Sequence, residues 1–275
     1  MLKIARRLVV KLLWGDSSEP FISGDLFKSL SDCEYWGVPS ELTSTKSSVI
    51  FVNSMLVELL TTSSLLKLDG HTIVIGNSDR DFDGDFDFSL IKCRRIYVQN
   101  LLTPSNEVVR ILPLGIENLQ LGRNGLPILF SRIFFRIPKQ NRILLGPFSN
   151  THSERDGLIC SLSKNVNVEC VKTFMNPLKY AFKASRFKYV ACPRGNGVDT
   201  HRFWESLYRG SIPIVLESEW ARNISKLGIP VIQISSWSDS EINRAIFEFP
   251  GRFDPKEIPA LWKEYWEKEF RNSGS

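Results

Sequence analysis

Short apolar runs recur along the chain, each ending in turn-forming residues. "SSVIFVNSMLVELL" (47–60) begins as a β-branched strand and passes into helical spacing. "HTIVIGNSD" (71–79), "RRIYVQN" (94–100) and "VVRILPLGI" (108–116) repeat the strand-and-turn theme. The second half restarts it. "RILLGPFSN" (142–150), "NVECVKT" (167–173), "FKYVACP" (187–193), "IPIVLES" (212–218) and "IPVIQIS" (229–235) read as strands. Between them, "SERDGLICSLSKN" (153–165) and "NPLKYAFKAS" (176–185) have helical spacing, as do "SEINRAIFEF" (240–249) and the aromatic "PALWKEYWEKEF" (259–270).

Alternation at this density predicts an α/β protein whose parallel sheets carry helices on their faces. Open sheets of that kind bind ligands at the carboxyl ends of their strands. The loops after Gly146, Cys192 and Ile214 are therefore the expected site. Two domains follow from the restart of the pattern, a first over 1–130 and a second over 131–275. The Pro- and Arg-containing stretch 124–141 is the passage between them, and the C-terminal helix is a segment that can pack back on the first domain. The chain has 275 residues, 43% of them hydrophobic, which suits two cores better than one.

The net charge of +5 suits nucleotides, phosphosugars, polyanions or a membrane surface, and is too small to argue for DNA. No helix-turn-helix or aromatic–basic stripe suggests nucleic acid. No window of 18 uninterrupted apolar residues predicts a spanning helix. The start, "MLKIARRLVVKLLWGD", is cut by Lys11 and lacks a small-residue cleavage site, so it is read as an amphipathic helix against the fold, with peripheral membrane contact as the alternative. Cys33, Cys93, Cys160, Cys170 and Cys192 are odd in number and lack CxxC spacing, which points to reduced thiols and a cytoplasmic location.

The densest chemistry lies in "PRGNGVDTHRFWESLYRGSIPIV" (193–215). Gly195 and Gly197 allow a sharp turn after the strand and close approach to a ligand. Asp199 or Thr200 is placed to cap the helix that follows, whose N-terminus favours an anion. Arg194 and Arg202 lie near that end, and a guanidinium fork suits a diphosphate. Glu205 falls one turn beyond Arg202 on the same helix face, placed for ribose hydroxyls or for an ion pair with Arg202. Phe203, Trp204 and Leu207 form the buried side.

With these residues in view, "YVACPRGNGVDTHRFWESLYRGSIPIV" resembles the C-terminal signature of exostosin-like glycosyltransferases, family 47. Ser206 stands where that pattern usually has alanine. A related helix occurs in α1,3-fucosyltransferases, and Ser149, Asn150 and Arg155 in "GPFSNTHSERDGLICSL" look like the donor loop of that group. The resemblance covers roughly the last 130 residues. It implies a GT-B fold of two Rossmann-like domains facing a cleft, and an inverting transfer without a metal. The donor implied is a nucleotide sugar, a UDP-sugar foremost and UDP-xylose in particular, with fucosyl- and Kdo-type donors as alternatives. The acceptor implied is a glycan hydroxyl. Carried over by position, Arg194 and Arg202 stabilise the diphosphate, Glu205 holds the ribose, and Gly195, Gly197, Asp199 and Thr200 shape the loop, with His201 nearby. His152 and Arg155 complete the phosphate pocket.

Inversion needs a proton acceptor, expected from the first domain: Asp79 foremost, then Asp25 and Glu117, with His71 and Asp81 also in reach of that role. "DRDFDGDFDF" opens like a calcium loop, but its twelfth position is Leu90 where a bidentate Glu belongs. Asp79 and Asp81 alternatively form the D-x-D of a metal-dependent GT-A-like transferase. A non-catalytic carbohydrate-binding or scaffold protein on the same fold is the remaining alternative.

Overall fold

A computed structural model describes residues 18–37, 48–62, 68–249 and 253–271. The expected amphipathic start lies outside the described residues. The chain opens with α1 (Gly24–Ser29), whose N-terminus is capped by the Ser23 hydroxyl accepting from Leu26 N. There follow β1 (Cys33–Tyr35), β2 (Val49–Asn53), a short α2 (Leu59–Thr62), β3 (Thr72–Gly76), β4 (Arg95–Val98) and β5 (Val109–Ile111). These five strands are parallel and lie in chain order, β1-β2-β3-β4-β5. The crossover from β4 to β5 is loop throughout.

The connection to the second sheet holds α3 (Arg132–Arg136), and β6 (Gln140–Leu145) begins that sheet. Then come α4 (Leu158–Ser161), β7 (Val168–Cys170), α5 (Pro177–Ala184), β8 (Phe187–Ala191), α6 (His201–Tyr208), β9 (Ile212–Leu216), α7 (Glu219–Ser225), β10 (Ile232–Ile234), α8 (Asp239–Glu248) and α9 (Lys263–Arg271). Asn176 caps α5 with Pro177 at its first turn, and Ser218 and Ser238 cap α7 and α8. The second sheet is also parallel, in the order β10-β9-β8-β6-β7. The protein is thus α/β, with two five-stranded parallel sheets, consistent with a two-domain Rossmann-like organisation.

The strand period of two sorts the second sheet's side chains onto two faces. Ile143, Leu145, Tyr189, Ala191, Ile212 and Ile214 pack with α4 and α8 residues. Leu144, Val190 and Val215 face the other way, into a cluster with Phe203, Trp204 and Leu207 of α6 and Trp220 of α7. That same cluster takes in Ile73, Ile96 and Tyr97 of the first sheet, so the two lobes share one apolar core. α9 seals it from the first-sheet side: Trp266 and Phe270 stack on Phe27 and Tyr97, and the Tyr97 hydroxyl donates to Glu269 at 3.0 Å.

Candidate functional site

In the second sheet β6 and β8 are neighbours, but the chain leaves β6 toward β7 and leaves β8 toward β9, in opposite directions. At such a switch point the loops part and open a crevice at the strands' carboxyl ends. A cavity of about 290 Å³ lies there, near the lower end of small-molecule sites. It is bounded by the loop after β6, the loop after β8, the start of α6, and residues from α5 and the first lobe.

Arg202, at the second position of α6, projects across this crevice. Its Nη2 donates to the Pro147 carbonyl at 2.5 Å, and its guanidinium lies 4.7 Å from the Phe148 ring and 5.5 Å from that of Tyr180. Its Nη1 is buried and has no hydrogen-bond partner among the described residues. Arg155 ties the two loops together: Nε donates to Arg194 O at 2.7 Å, Nη2 to Pro193 O at 3.2 Å, and Nη1 to Thr151 Oγ1 at 2.9 Å. Burial, and next the neighbouring Arg202 charge, lower the Arg155 guanidinium below the usual arginine range. The pocket therefore holds two cations close enough to repel, beside the positive end of α6, whose Thr200 side chain makes no capping bond.

The anion such a pocket favours has further groups to meet. The buried Tyr180 hydroxyl has no partner among the described residues, and burial raises its pKa. Glu205 is buried and lines the cavity, with its Oε2 3.3 Å from Arg209 Nη1. The intrahelical pair thus runs from Glu205 to Arg209, one turn on, and Arg202 is left to the loop after β6. Phe203, Trp204 and Leu207 are fully buried.

The first lobe grips the signature loop at several points. Val198 N donates to Asp81 Oδ1 at 2.9 Å, Asn196 Nδ2 to Asp79 Oδ2 at 3.0 Å, and Asp199 N to Asn100 Oδ1 at 2.9 Å. Leu114 N donates to Asp199 Oδ2 at 2.9 Å, and His201 Nδ1 lies 2.8 Å from Gly115 O. Asp199 is fully enclosed: its Oδ1 also accepts from Trp204 Nε1 at 2.7 Å, and burial pushes its pKa up to about 7.

Several expected roles fall elsewhere. Arg194 does not line the cavity. It is ion-paired with Asp81 across the lobes and borders a smaller hollow on the far side of its loop. Asp81 has both oxygens engaged, by Arg194 and by Val198 N, which leaves it ill-placed for a paired D-x-D site. His152 is also outside the cavity lining, its Nδ1 accepting from Glu154 N at the turn it caps. Asp199 is a docking carboxylate where a helix cap was expected, and Thr200 holds the cap position without a side-chain bond.

Gly195 and Gly197 avoid positive φ; what forbids a side chain is space. A Cβ at Gly195 would lie 2.9 Å from Arg155 Nη2, and one at Gly197 2.9 Å from the Asn100 side chain. Of the expected proton acceptors, Asp79 lines the cavity. Glu117 Oε2 accepts from Asn124 N at 2.7 Å. Asp25 sits half-buried in the first turn of α1, outside the lining, its pKa raised by burial against a smaller opposing effect of Lys28. His71 is buried, its Nδ1 2.6 Å from Ser48 Oγ.

The sequence reading missed Tyr180, Phe148, Asn100, Leu114 and Gly115. Asn100 carried a signal: it closes a strand, "RIYVQN", at a position with φ of +54°, which asparagine tolerates better than most residues. Leu114 and Gly115 contribute backbone atoms, for which side-chain identity carries no signal. All five cysteines are free, and no helix among the described residues is long and apolar enough to cross a membrane. No protein-family model matches the chain, and no curated protein matches it either.

Proposed function

We propose that the protein is an inverting glycosyltransferase of the GT-B kind that moves a sugar from a nucleotide-sugar donor to a hydroxyl of a glycan acceptor. The donor is a UDP-sugar, with UDP-xylose the particular choice that the resemblance to family 47 suggests. One observation carries the reading: a buried Arg202 Nη1 without a partner, beside a second arginine and a helix N-terminus, in the switch-point crevice. A leaving diphosphate supplies the negative charge this arrangement lacks. Fixed cationic donors aimed at the charge that develops on a leaving group lower the barrier without reorganising. Glu205, one turn deeper, is the acceptor for donor hydroxyls. Arg155 and Arg202 supply the cationic charge in this proposal, so no metal is required of it. A cytoplasmic site of action belongs to the same proposal.

Calorimetric titration with UDP, GDP, CMP and a panel of UDP-sugars, with and without a chelator, tests it. UDP binding that survives chelation and weakens about tenfold to a hundredfold in Arg202→Ala is the expected result, since hydrogen bonds to charged groups contribute roughly 1.5–3 kcal/mol. Absence of binding to every nucleotide would refute the transferase reading. Sugar binding without nucleotide binding would favour a carbohydrate-binding protein on this fold.

A further inference from the structure

The structure assigns the acceptor's proton to His201, at its Nε2 atom. This assignment rests on the transferase reading and adds to it the residue that makes the acceptor oxygen a nucleophile. His201 is the first residue of α6 and lines the cavity together with Arg202. Its Nδ1 lies 2.8 Å from the Gly115 carbonyl, which can only accept, so Nδ1 carries the hydrogen. A neutral imidazole so held presents Nε2 as a lone pair. Nε2 has no hydrogen-bond partner among the described residues.

The carbonyl that fixes this tautomer is itself fixed. Gly115 has φ +75°, and a Cβ there would lie 2.2 Å from the Ile22 carbonyl, so no other residue fits without moving the chain. Ile116 N donates to that same Ile22 carbonyl at 2.9 Å. The charged groups that share the pocket are Asp79 from the first lobe and Arg155, Asp199, Arg202 and Glu205 from the second. Among the carboxylates expected for this role, Glu117 and Asp25 lie outside the lining and Asp81 has both oxygens engaged, while Asp79 lines the cavity with one oxygen on Asn196 and is the rival base that an Asp79→Asn variant tests beside His201→Asn.

In the step, the acceptor O–H bond breaks and its proton passes to Nε2. The oxygen's electron pair forms the new bond to the anomeric carbon from the face opposite the diphosphate. The bond from that carbon to the diphosphate oxygen breaks, and its electron pair stays on the diphosphate beside Arg202. The resulting imidazolium keeps its Nδ1–H on Gly115 O.

His201→Asn tests the assignment, because the asparagine Nδ2 can replace Nδ1 as donor to Gly115 O while offering no base. The expected variant binds UDP within about twofold of wild type but releases UDP from a UDP-sugar in the presence of glycan acceptor about a hundredfold or more slowly. The ¹⁵N imidazole spectrum of the wild type, with three histidines to assign, shows His201 protonated at Nδ1. Turnover undiminished in His201→Asn, or a proton found on Nε2 of the neutral ring, overturns the role of His201 alone. A wild type that binds no nucleotide, or binds UDP-sugars but turns none over, overturns the transferase reading and this assignment with it.

Discussion

Asp199 offers the sharpest test of how the two lobes are joined. It is buried at the seam, with Leu114 N from the first lobe on one oxygen and Trp204 Nε1 from α6 on the other. Two effects compete there. Loss of water disfavours the carboxylate, while the N–H donors favour it; the first wins and pushes the pKa from 3.8 to about 7. A carboxyl whose folded pKa lies above its unfolded value stabilises the fold at low pH, where both states are protonated. Between the two values the unfolded chain has lost the proton and the folded one retains it, so stability falls as pH rises and levels off above the folded pKa. The slope is about 1.4 kcal/mol per pH unit, so between pH 5 and pH 8 this one group removes about 3 kcal/mol.

Asp199→Asn isolates that effect. Asparagine keeps the size and stays neutral, its Oδ1 accepting from one of the two donors while its NH₂ faces the other without accepting, a cost that does not depend on pH. The stability of the variant relative to wild type is therefore expected to rise by about 3 kcal/mol from pH 5 to pH 8, on top of a constant offset from the unmatched donor. Urea unfolding of both proteins at pH 5, 6, 7 and 8 measures the difference, in which every other titrating group cancels. A difference that stays flat across this range would show that Asp199 titrates in the fold as it does in the unfolded chain. A difference that moves the other way would show that the donors from Leu114 and Trp204 outweigh desolvation and hold the carboxylate charged.

Tyr180→Phe removes a buried hydroxyl that has no partner. Thermal stability is expected to be unchanged or slightly higher, while UDP affinity measured by calorimetry falls about threefold to tenfold, from a lost hydrogen bond of roughly 0.5–1.5 kcal/mol. Gly197→Ala puts a methyl 2.9 Å from the Asn100 side chain, which must then release Asp199 N. A loss of about 1–3 kcal/mol in denaturant unfolding is expected, and a smaller loss when the same change is made in an Asn100→Ala background; an equal loss in both backgrounds would place the clash elsewhere.

Periodicity revealed the second half of the fold well, because its strands sit in segments rich in apolar and β-branched residues that end in turn formers. It missed α7, although Ser218 is a regular cap and Trp220 and Ile224 mark a buried face; the element is short and sits directly between two stronger strand signals. In the first half, β1 has three residues and α1 opens on glycine, so neither rises above its surroundings. Sheet order was not legible in either half, since parallel pairing joins residues that are distant in the chain. The same limit applies to Arg194. Its neighbours in sequence mark it as a phosphate ligand, and nothing local reveals that Asp81, from the other lobe, reaches it first.

The signature stretch divides its residues between two tasks. Arg194 and Val198 are spent on the first lobe, whereas Gly195, Arg202 and Glu205 face the crevice; Gly197, Asp199 and His201 both meet the first lobe and line the cavity. The crevice walls are therefore set by contacts between lobes as much as by the second sheet. Any ligand that binds only when these walls are assembled must stabilise the seam by its binding free energy. Conversely, every variant that loosens the seam weakens binding without touching the ligand. Loss of affinity in a seam variant outside the lining, such as Asn100→Ala, therefore identifies an assembled pocket, and only variants of Arg202, Glu205 or Tyr180 that leave unfolding unchanged identify contacts with the ligand itself.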